Sequence, residues 1–257
     1  MAICVGYFEE NDAVPPGRLT VSGLVSQKVR WQALEERWPR VLRGEDVTAF
    51  SGRDFIRGAG EFSTGWLDDP DRQTRLIATL TQMTRQHVLR GMSCSIDLRD
   101  YQAIDQKYRF TESVSGPYGV CAACVIGRIQ GWMARHRPDD LTLFVFEEGE
   151  LDHREIRRLL RAEGIERGEP AQVWPRQWTD ERGRQRLLRP FEACDLLIPG
   201  CKSPLIDQLS ERAAWEHEVI DRDHLEWICK ALSVAERSRL DAGEAVRRRQ
   251  RTISRPA

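Results

Sequence analysis

Three groups of carboxylates, each at the end of an apolar run, are the residues of this chain best suited to chemistry. They are Glu9 and Glu10 after ICVGYF, Glu147 and Glu148 after LTLFVF, and Glu192 with Asp195 in RPFEACDLL. Hard cations such as Mg²⁺ or Mn²⁺ prefer oxygen ligands, and carboxylates leaving neighbouring strand ends can converge on them. Phosphodiester hydrolysis needs an activated water, an in-line geometry and neutralisation of charge on the phosphate oxygens. Two ions about 4 Å apart supply all three. Glu9, Glu147 and Asp195 are therefore the candidate catalytic and metal-binding acids, with Glu192 as a fourth ligand or as an acid that supports the ligands. Glu192 lies three positions before Asp195, so the two share a helix face. Asp195 stands among Ala193, Cys194, Leu196 and Leu197, and a carboxylate held near a core needs a partner or a metal. Glu10 and Glu148 are expected to face away, because adjacent strand residues point to opposite sides.

A phosphate backbone would also need cations. Arg53 and Arg57, with Arg247, Arg248 and Arg249 in an acid-free C-terminal stretch, are the candidate nucleic-acid contacts. The only lysines are Lys28, Lys107, Lys202 and Lys230, so nearly all the positive charge is arginine. The arginine bias fits a GC-rich genome, and it also suits phosphate recognition.

Other chemistries are disfavoured. Cys121 and Cys124 form half of a zinc motif, but no second pair completes it, and in VCAACVIGRIQGWM they read as core packing on an apolar helix. The five histidines have no HExxH-like spacing. No GxxxxGK[ST], strand-linked GxGxxG or GxSxG occurs.

The elements that must position the acids can be read from periodicity. Residues 2–8 and LTVSGLVS, separated by ENDAVPPG, predict an opening β-hairpin. Val29, Trp31, Leu34, Trp38, Val41 and Leu42 predict an amphipathic helix over 28–43. Residues 46–70 read as a long irregular connection. A second helix is expected over 71–89, capped by Gly91, followed by the strand MSCSIDL. After a polar segment comes a third, buried helix over 116–136, then LTLFVFEE, apolar enough for a central strand covered on both faces. A short helix over 152–162, a strand AQVWPRQW, a short helix ended by Pro199 and further helix over 205–232 complete the expectation.

In order and wording these segments resemble the family catalogued as domain of unknown function 3800, which is placed among proteins with a ribonuclease H-like fold. Phe8, Glu9, Glu10, Asn11 and Asp12 resemble its opening Asp-Glu-Ser-Gly motif. VSGLVSQKVRWQALEERW is similar to the hairpin and Trp-rich helix that follow, VFEEG to its strand ending in an acid and glycine, and Glu192-Ala193-Cys194-Asp195-Leu196 to its Gln-x-Ala-Asp-Leu element. Glutamate stands for the family's aspartate at Glu9 and Glu147, Glu192 for its glutamine, and Ser51 where many members carry a histidine. The resemblance implies an α/β, ribonuclease H-like protein with a mixed central sheet flanked by helices, and a Mg²⁺- or Mn²⁺-dependent nuclease site. The departures imply an alternative: an inactive module that binds nucleic acid or a protein partner, in a mobile-element or defence system. On that alternative, exposed tryptophans among Trp31, Trp38, Trp66, Trp174 and Trp178 would form an interface.

The chain's 257 residues, 31% of them charged with a formal net charge of −1, fit one domain over 1–235 with inserted helices, followed by a basic tail over 236–257. With no leader pattern, no membrane-length apolar run and seven irregularly spaced cysteines, the chain reads as cytoplasmic with reduced thiols and no membrane partner.

Overall fold

The computed structural model describes residues 2–12, 17–109, 111, 116–148, 172–179, 185–197 and 215–230. The expected helix over 152–162 and the basic tail with Arg247, Arg248 and Arg249 lie outside the described residues.

The protein is α/β, with a mixed sheet flanked by helices. Strands β1 (Ile3–Asp12), β2 (Arg18–Gln27) and β3 (Arg90–Asp97) form an antiparallel meander. Strand β4 (Leu141–Glu147) runs parallel to β1, and β5 (Gln172–Trp174) runs parallel to β4. Strands β6 (Gln177–Thr179) and β7 (Gln185–Leu187) make a separate two-stranded ribbon, and β8 (Trp215–Ile220) runs parallel to β3. The six-stranded order is β5-β4-β1-β2-β3-β8.

Alternation along the strands separates two apolar layers. Cys4 and Phe8 of β1 and Phe144 and Phe146 of β4 pack with helices α4 (Leu98–Tyr108) and α5 (Pro117–His136). Val5 and Tyr7 of β1, with Leu143 and Val145 of β4, face α1 (Lys28–Gly44), α3 (Pro70–His87) and α6 (Arg189–Cys194). Gly23 on β2 lies opposite Phe8, and a Cβ there would sit 2.7 Å from Phe8 Cε1 and 2.8 Å from Val125 Cγ1. Its missing side chain lets α5 close on the sheet.

Several sequence expectations are corrected. Residues 46–70 contain α2 (Gly52–Arg57), a 3₁₀ turn at Gly60–Phe62 and an aromatic cluster of Phe50, Phe55, Phe62 and Trp66. Arg72 ties this segment down, with its guanidinium 4.0 Å over the Trp66 ring and 3.1 Å from Glu45. The polar stretch after β3 is α4, started by the Asp97 carboxylate, which accepts from the Arg99 and Asp100 amides. Gly91 is not a helix cap. It lies inside β3, where a Cβ would meet Leu24 and Trp215 at 2.7 and 2.8 Å. AQVWPRQW is split at Pro175 between β5 and β6, since proline has no amide to continue a ladder. Trp215–Ile220, read as helix, is a strand, because the open side of β3 supplies hydrogen-bonding partners that local composition does not reveal. Residues 222–230 are helical.

Candidate acidic site

Glu9 and Glu147 meet because of register. The last parallel pair of β1 and β4 is Phe8 with Phe146, so the next residue of each strand is a glutamate. Both follow the alternation that puts Val5, Tyr7, Leu143 and Val145 on the α1/α3/α6 face. Glu9 does not end its strand. β1 continues to Asp12, pairing Glu9 with Ser22 of β2. The side chain of Glu10 is outside the described residues.

Helix α6 crosses this face. Pro190 occupies its first turn, Phe191 packs edge-on against Tyr7 at 5.4 Å, and Cys194 Sγ donates to the Tyr7 carbonyl at 3.3 Å. These contacts set Asp195, which opens the following 3₁₀ turn Asp195–Leu197, close enough to Glu147 for its charge to act there. Asp195 is 2% exposed and accepts from the Gly52 amide at 3.0 Å, at the start of α2.

The three acids meet on Arg176, a residue that motif reasoning missed. Its Nη2 contacts Glu9 Oε1, its Nε lies 3.0 Å from Glu147 Oε1, and its Nη1 lies 3.5 Å from Asp195 Oδ2. Arg176 follows Pro175 at the junction of β5 and β6, and its carbonyl accepts from the Leu188 amide at 2.9 Å. Parallel pairing of β5 with β4 delivers it to the strand end that carries Glu147. One weak signal for it was present in the sequence: Pro175 marks a chain break just after a strand.

Burial of the three carboxylates outweighs the cations beside them at Glu147 and Asp195. Glu147 is pushed up to about 7, first by desolvation and then by the charge of Asp195. Burial also raises Asp195, against the lowering effects of Arg176, the Gly52 amide and Arg53. Glu9 is 4% exposed, and its Oε2 is buried with no hydrogen-bond partner among the described residues.

Glu192 is placed differently. Its Oε2 accepts from Trp38 Nε1 at 2.6 Å and from the Phe50 amide at 3.1 Å, and its Oε1 pairs with Arg189 at 2.5 Å. Its Oε2 joins α6 to α1 and the Phe50 segment, while its Oε1 is held by Arg189 of the same helix, so its observed role is to brace the helix that carries Asp195. Ser51 caps α2 by accepting from the Asp54 amide at 3.2 Å. Arg53 and Arg57 are exposed on α2, whose first residue touches Asp195. Of the tryptophans, Trp31, Trp38 and Trp66 are buried, Trp174 is exposed, and the Trp178 side chain lies outside the described residues.

Among the described residues, no group of three or more His, Cys, Asp or Glu side chains is set to hold a metal ion. The donor set of three carboxylates, with Glu9 Oε2 an orphan among the described residues, is of the type hard cations take. In the observed placement one oxygen of Glu9, both of Glu147 and one of Asp195 face Arg176. Among the described residues no helix is long and apolar enough to cross a membrane. A scan against protein-family models and a search of curated proteins return no match to this chain.

Proposed function

We propose that this protein is a ribonuclease H-like nuclease that hydrolyses phosphodiester bonds at the Glu9–Glu147–Asp195 site with Mg²⁺ or Mn²⁺. The convergence of these three acids, from the first strand, the neighbouring parallel strand and a crossing helix, carries the reading. The mixed sheet with helices on both faces supports the fold assignment, and so do the motifs that resemble those of the domain of unknown function 3800 family. A bound divalent ion supplies Lewis acidity toward water and the phosphate. The chain's own part is to hold the carboxylates. Register fixes Glu9 and Glu147, while the Gly52 amide and the Glu192 brace fix Asp195. Arg53, whose charge acts on Asp195, and Arg57, exposed on the same helix, would meet the backbone of a nucleic acid.

A second reading, a non-catalytic module that binds nucleic acid or a protein, draws on Arg176, which already supplies a cation to the acids. Cleavage of labelled single- and double-stranded DNA and RNA with Mg²⁺, Mn²⁺ or EDTA, beside Asp195→Asn, separates the two. The nuclease reading expects metal-dependent cutting that the folded variant loses. Absence of cutting on every substrate, with both proteins folded, favours the module.

A further inference from the structure

We infer that Arg176 is a built-in competitor for the metal site: its guanidinium holds the acid triad together in the absence of metal and must swing out before a divalent cation can bind. The inference rests on the acids being a metal site, as proposed above, and it deepens that reading.

Three observations carry it. First, the guanidinium lies within 3.5 Å of an oxygen of Glu9, Glu147 and Asp195, so it fills the space in which one ion would have to reach all three. An ion of this class needs its oxygens at about 2.0–2.6 Å, a shell that cannot form around an intervening planar guanidinium. Second, the occupancy is incomplete. Among the described residues Glu9 Oε2 is buried without a hydrogen-bond partner, and Arg176 Nε, although 3.0 Å from Glu147 Oε1, misses hydrogen-bond geometry. A ligand that satisfied the cluster fully would leave neither. Third, release needs no rearrangement of the fold. The Arg176 carbonyl is pinned by the Leu188 amide, while its side chain is 25% exposed, so rotation about side-chain bonds alone can carry the guanidinium toward solvent.

Competition of this kind lowers apparent metal affinity by the fraction of molecules in which the arginine is withdrawn. The consequence is a site that stays collapsed and folded at low metal and opens only when a divalent cation, with or without a phosphate to receive the arginine, outcompetes it.

Calorimetric titration of Mn²⁺ into the metal-free full chain tests this, comparing wild type with Arg176→Ala and Arg176→Gln. The expected result is a dissociation constant about tenfold or more lower in both variants. Melting curves should agree: without metal the variants melt below wild type, and Mn²⁺ raises their midpoint by more than it raises that of wild type. Equal Mn²⁺ affinity in wild type and folded variants overturns the competitor role while leaving the metal site standing. Absence of Mn²⁺ binding in wild type and in both folded variants overturns the metal reading itself. Should Arg176→Ala not fold without metal, Arg176→Gln and recovery of folding on adding Mn²⁺ provide the same comparison.

Discussion

Replacing Glu192 with alanine removes the acceptor shared by the Trp38 indole and the Phe50 amide and takes the carboxylate partner from Arg189, which keeps its bond to the Thr48 carbonyl. A loss of about 3 kcal/mol is expected from unmaking a buried, charge-assisted network of this kind, and urea denaturation measures it. Glu192→Gln keeps an acceptor for Trp38 and Phe50 and should cost less. Neither folded variant should change Mn²⁺ affinity by more than about twofold if the residue only braces α6; a larger change would return Glu192 to the ligand set. At this scale the sequence told a good deal about Asp195, whose apolar neighbours announced a carboxylate in need of a partner. It told little about Arg176. An arginine between two short strands looks like any solvated arginine until topology brings β5 alongside β4, and its three partners lie 167, 29 and 19 positions away. Ser51 is the reverse case: the missing histidine was visible, but the helix-capping hydroxyl in its place becomes evident only when α2 is seen to begin there.

Among the elements, β2 and α5 meet closely at Gly23. Gly23→Val would push a side chain into Phe8 and Val125, both fully packed against their neighbours. Overpacking here should cost about 1–3 kcal/mol, with loss of near-ultraviolet signal from the Phe8–Phe146 stack as the melting point falls. Helices with a regular apolar stripe, such as α1 and α3, were legible because a 3.6-residue period survives in one sequence. α4 was missed because its polar face dominates an 11-residue segment in which only Tyr101 and Ile104 are buried; the Asp97 cap was the usable signal. β8 was misread because WEHEVI has no strong local preference and takes its form from the neighbouring edge of β3.

Over the whole molecule, the crowded acids should make stability depend on pH. Glu147 titrates near 7 in the folded chain against 4.5 as its ordinary value, so the folded state holds an extra proton between those limits. The stability this contributes is complete below pH 4.5 and is lost as pH rises through 7. Urea midpoints taken in EDTA should therefore fall between pH 5 and pH 8, and Glu147→Gln should reduce that fall; an unchanged slope would mean the acids are better neutralised than their surroundings imply. The parallel strands have a kinetic consequence as well. The β1–β4 junction joins positions 138 residues apart and the β3–β8 junction positions 124 apart, so closure of the sheet is slow on topological grounds. At ribosomal rates β3 is synthesised roughly 6 to 25 s before its outer neighbour. For that interval the half-made sheet presents a row of unpaired amides and carbonyls, a template on which a second nascent chain could pair.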